Sequence, residues 1–76
     1  PLSQDKVDLA KDFAKYLEKL NDLNKIKTGI DHIMKLRNQI PSSYRQYVDP
    51  MFNQMLLPLG KSKGEDIMNY IEKSME

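Results

Sequence analysis

The chain has no cysteine, one histidine, three glycines and almost no net charge, and each shortage closes off a class of protein. Without cysteine there is no disulfide framework and no thiolate metal site, and nothing marks a redox compartment. A single histidine, His32, rules out paired-histidine metal ligation, and the H-E-x-x-H zinc signature is missing. Twelve Lys and Arg stand against eleven Asp and Glu, so net charge selects no partner. No apolar run approaches the roughly 20 residues that cross a bilayer. No charged segment leading into an apolar one reads as a leader. The compartment stays open.

What remains is a helical composition. At 76 residues, 39% hydrophobic and 30% charged, the chain has room for one modest core and is too apolar for a disordered tail. Four segments carry helical periodicity, and the spacing predicts helices over about 4–20, 23–39, 43–59 and 63–75. In the first, Leu9/Ala10, Phe13, Tyr16/Leu17 and Leu20 mark one face, with Ser3 as cap and Leu2 stapling onto Val7. Asp8 with Lys11 and Asp12 with Lys15 are spaced for weak ion pairs. Asp22 is placed to cap the second helix, whose stripe runs Leu23, Ile26, Ile30, Ile33, Arg37, Ile40. Gly29 lies inside this stripe and leaves open a break at Thr28-Gly29. Pro41 ends it.

The third segment is the centre. Tyr44, Tyr47, Val48, Met51, Phe52, Met55, Leu56 and Leu59 keep one helical phase across Pro50. Pro50 either kinks one helix or starts a second, and Gly60 reads as the stop. Ser43 and Gln46, and again Ser62 and Glu65, have capping-box spacing. Gly60-Lys61-Ser62-Lys63-Gly64 then reads as a polar connector, since it lacks the spacing of a phosphate loop. Ile67, Met68, Ile71 and Met75 face inward from the last helix. The expected fold is all-α: a small antiparallel bundle of about four helices, one domain over 1–76. Its expected core is Phe13, Leu17, Leu20, Ile26, Ile30, Ile33, Tyr47, Met51, Phe52, Met55, Ile67 and Ile71.

Catalytic groups are scarce. Asp31 and His32 are neighbours on a helix and point apart, and Ser42 and Ser43 have no local histidine to activate them. No catalytic, cofactor-binding or metal-binding residue is assigned, and no cofactor or small-molecule ligand is expected. One feature points outward: Met51, Phe52, Met55, Leu56, Leu57 and Leu59 are apolar around more than half of a helix. Such a helix is normally central in something larger, so these six form the candidate interaction surface, with a protein as partner. With Pro1 in place of a starting methionine, this reads as a piece of a larger protein or a subunit that pairs. The alternative is a regulatory or nucleic-acid-associated domain using Lys11, Lys15, Lys19, Lys25, Lys35 and Arg37. Interleaved acids and a net charge of +1 disfavour it.

The run Ile40-Pro41-Ser42-Ser43-Tyr44-Arg45, then Val48-Asp49-Pro50, with a closing Lys63-Gly64-Glu65-Asp66-Ile67-Met68-Asn69-Tyr70-Ile71, resembles the helical C-terminal region of bacterial zinc aminopeptidases of the aminopeptidase N type. The likeness covers about Leu23 to Lys73. In that family the H-E-x-x-H and G-x-M-E-N motifs lie in a separate catalytic domain, and neither occurs here. The resemblance therefore implies an accessory helical piece that helps to close a substrate cavity. It carries over no catalytic residue.

Overall fold

The computed structural model describes residues 2–76, with side chains from Gln4 onward; the Ser3 cap and the Leu2 staple fall outside the described residues. Four helices follow in order: α1 (Leu2–Glu18), α2 (Leu23–Asn38), α3 (Ser42–Lys63) and α4 (Glu65–Met75). Among the described residues there is no strand, and no helix is long and apolar enough to cross a membrane. The Phe13 ring meets His32, and Leu17 presses on Gly29, so α1 and α2 run antiparallel. Both pack on α3 or α4, and α3 touches all three others.

The core forms from one stripe of each helix. Val7, Ala10, Ala14 and Leu17 come from α1, and Ile26, Ile30, Ile33 and Met34 from α2. Val48, Phe52, Leu56 and Leu59 come from α3, and Ile67 and Ile71 from α4, with Ile40 closing the α2–α3 turn. Phe13, Leu20, Met51 and Met55, expected in the core, sit half-buried at its margin. Tyr47, also expected there, is 67% exposed, because Val48 and Phe52 place the buried stripe of α3 one residue further round.

Helix α1 is likewise rotated from the expected face. Its large side chains Leu9 and Tyr16 point outward, while the small Ala10 and Ala14 turn inward. Small residues let α1 approach its neighbours closely, and close packing gains contacts that a bulky face would hold apart. The same device recurs at two glycines. A Cβ on Gly29 would lie 2.3 Å from Leu17 Cδ2, and one on Gly60 would lie 3.1 Å from the Met68 Cα. Gly29 therefore marks a helix crossing, and α2 continues through it unbroken.

Gly60 does not end α3. The helix runs on to Lys63, and Gly64 makes the whole joint to α4, at φ 107°, a conformation glycine adopts freely. Its N–H donates to the Gly60 carbonyl, and its own carbonyl accepts from Met68 N–H, both at 3.0 Å. This removes the 60–64 connector and the Ser62 capping box. The Ser43 box is absent as well: α3 begins at Ser42 after Pro41, with no side-chain cap, and Tyr44 N–H donates to the Pro41 carbonyl at 2.9 Å. Pro50 and Pro58 both sit inside one continuous helix. Both are exposed, as are Gln46 and Gln54, whose carbonyls lose their usual donors four residues on. Water can satisfy those carbonyls. The Asp22 cap forms as expected, accepting from Asn24 and Lys25 N–H.

Four long side chains tie the helices together. Arg37 donates Nε and Nη2 to the two Asp49 oxygens at 2.8 and 3.0 Å, a bidentate bridge from α2 to α3. Arg45 reaches back to the Asn38 and Ile40 carbonyls, covering the last groups of α2. Lys63 donates Nζ to the Glu18 and Leu20 carbonyls, both at 2.6 Å, locking the C-terminal end of α1 to α3. The Tyr70 hydroxyl donates to Asp31 at 2.6 Å, joining α4 to α2, with Lys27 over the ring. That bond to a carboxylate holds the Tyr70 phenol above its ordinary pKa of 10.0.

Candidate interaction site

Turning Leu9 and Tyr16 outward creates a feature that a bundle of this size does not need. Between α1 and α2 lie two adjoining hollows of about 540 and 330 Å³ that share Phe13, Tyr16 and His32. Leu9, Phe13, Tyr16 and Leu36 line the larger one, and Leu17, Leu20 and Gly29 floor the smaller. The groove follows the α1–α2 seam, where Leu17 fills the space over Gly29 and His32 stands edge-on to Phe13, ring centres 5.6 Å apart. Phe13 and Tyr16 also stack at 6.0 Å. Leu9 is 58% and Tyr16 55% exposed.

The groove has two unlike rims. On α1 the charged lining residue is Asp12, and on α2 these are Lys25 and Lys35, with His32 between them. Asp12 is not engaged by Lys15: among the described residues neither expected pair on α1 closes, and the one ion pair is Arg37–Asp49. His32 is exposed, as expected, but it is a wall of the groove and not an isolated surface group.

The surface expected on α3 is divided. Phe52, Leu56 and Leu59 are fully buried, because α1, α2 and α4 together cover the side of α3 that the apolar stripe occupies. Met51 and Met55 are half-buried beside Lys11, Lys15 and Glu18 in a third hollow of about 300 Å³. Leu57 alone of the six is exposed, and it lies outside the α1–α2 groove. The basic residues do not share one face either. Lys11 and Lys15 border α3, Lys25 and Lys35 border the α1–α2 groove, and Arg37, 13% exposed, is held by Asp49.

Hydrophobic periodicity pointed to the most apolar helix and so missed the groove. The signal that could have found it was the pair of alanines at 10 and 14, which offer α1 a second, smaller inward face. The Ile40–Arg45 run behind the aminopeptidase resemblance has a local task here. Ile40 fills the core, Pro41 opens α3 and Arg45 covers the end of α2. Among the described residues no group of three or more His, Asp or Glu side chains could hold a metal ion. No protein-family model matches the chain, nor does any curated protein or solved structure.

Proposed function

We propose that this chain is a non-catalytic helical interaction module that binds another polypeptide through the α1–α2 groove. One observation carries the reading: the core is already complete, yet Leu9 and Tyr16 stay more than half exposed over an apolar hollow. Continuous apolar concavities with a polar rim are where proteins take partners. His32 faces Phe13 and not a nucleophile, which supports a binding role over a catalytic one. If the chain belongs to an aminopeptidase-type protein, the groove would seat a neighbouring part of that protein. The division of the basic side chains between two faces weighs against the nucleic-acid alternative, in which phosphate contacts need one surface.

Site-specific photo-crosslinking in cells tests this. A photoreactive residue at Tyr16 should give discrete protein adducts, while one at Asn53, exposed on α3, should give none. Adducts from neither position, or equal adducts from both, would end the reading.

A further inference from the structure

The two unlike rims indicate what fills the groove. We infer that it is a second copy of this chain, in a two-fold dimer whose axis runs along the groove. The inference rests on the interaction-module reading and names its partner.

The antiparallel helices set the register. Phe13 lies level with His32 and Leu17 with Gly29, so residues of α1 and α2 whose numbers add to about 45 share a level. A two-fold axis parallel to the helices keeps each level and exchanges left for right. Each α1 then lies over the partner's α2, antiparallel to it. Asp12 on one copy comes over His32 and Lys35 on the other, and the reverse pair forms by symmetry. Leu9, Phe13 and Tyr16 of each copy enter the hollow lined by Leu36 and Tyr16 of the other. A two-fold axis across the helices would instead stack α2 on α2 and set Lys25 and Lys35 among their like. Rim charge thus selects one of the two arrangements.

Two helices of 17 and 16 residues side by side offer an outline of roughly 25 by 20 Å. That is smaller than the roughly 800 Å² per partner of a standard interface, so the dimer is a weak one that forms toward millimolar concentration.

Sedimentation equilibrium from micromolar to millimolar concentration tests the arrangement, using Asp12→Lys, Lys35→Asp and Tyr16→Lys. All three sites are exposed in the single chain, so the variants should keep their helicity. Wild type should dimerise. Each charge reversal should weaken its own dimer at least ~10-fold, the effect of about 1.4 kcal/mol of like-charge contact. An equimolar mixture of the two reversals should dimerise again, because both cross-pairs are then opposite in sign. Tyr16→Lys should be monomeric. A monomeric wild type, or a dimer indifferent to all three changes, would overturn the inference. In the first case, crosslinks from Tyr16 to a different protein would leave the interaction-module reading standing, and their absence would end both.

Discussion

Replacing Phe52 with alanine should lower the unfolding free energy by about 3–5 kcal/mol. A chain of this length has only about 4–11 kcal/mol in total, so the variant should sit at the edge of folding at room temperature. The physical reason is position. Phe52 has no exposed surface and lies on α3, the helix that all three others contact. Truncation leaves a void that the surrounding helices fill only in part, and lost contacts add to lost burial. Urea denaturation followed by circular dichroism measures the loss. A change below about 0.5 kcal/mol, the range expected of surface substitutions, would put Phe52 on the surface and return α3 to the role its composition suggests.

The second large effect has the opposite sign. Proline inside a helix costs about 3 kcal/mol relative to alanine, and α3 contains two, Pro50 and Pro58. Both are exposed, so no core contact depends on either ring, and restoring the two N–H groups returns donors to the Gln46 and Gln54 carbonyls. Proline also stiffens the unfolded chain, which offsets roughly 0.4–1 kcal/mol of the gain. Pro50→Ala with Pro58→Ala should therefore raise stability by about 4–5 kcal/mol in the same denaturation experiment. Loss of stability would mean that the core is built around a bend the prolines impose. The motive for keeping two such residues would then be structural.

How far the fold could be read in advance follows from how each signal arises. Helix positions came from the spacing of apolar residues, and all four are present with shifted ends. The ends moved where long-range contacts decide. Lys63 stays helical while its ammonium group holds the Glu18 and Leu20 carbonyls, and no local pattern announces a contact across more than forty residues. The cover over α3 was not legible in advance for a related reason. Counting large apolar residues favours α3, but which residues remain uncovered depends on how neighbours pack. Ala10 and Ala14 draw α1 inward on its small side and so expose Leu9 and Tyr16. Arg37 was assigned to a basic face from its charge alone, whereas Asp49, twelve residues on, engages it.

The central claim is that Phe52, Leu56 and Leu59 of α3 are covered by the other helices, while Leu9 and Tyr16 of α1 stand uncovered over the α1–α2 groove. Hydroxyl-radical footprinting read by mass spectrometry, on a solution dilute enough to be monomeric, tests it side chain by side chain. Leu9 and Tyr16 should be oxidised quickly, and Phe52, Leu56 and Leu59 should be protected until the protein unfolds. Rapid oxidation of Phe52 and Leu56 in the folded chain, with Leu9 and Tyr16 protected, would contradict it.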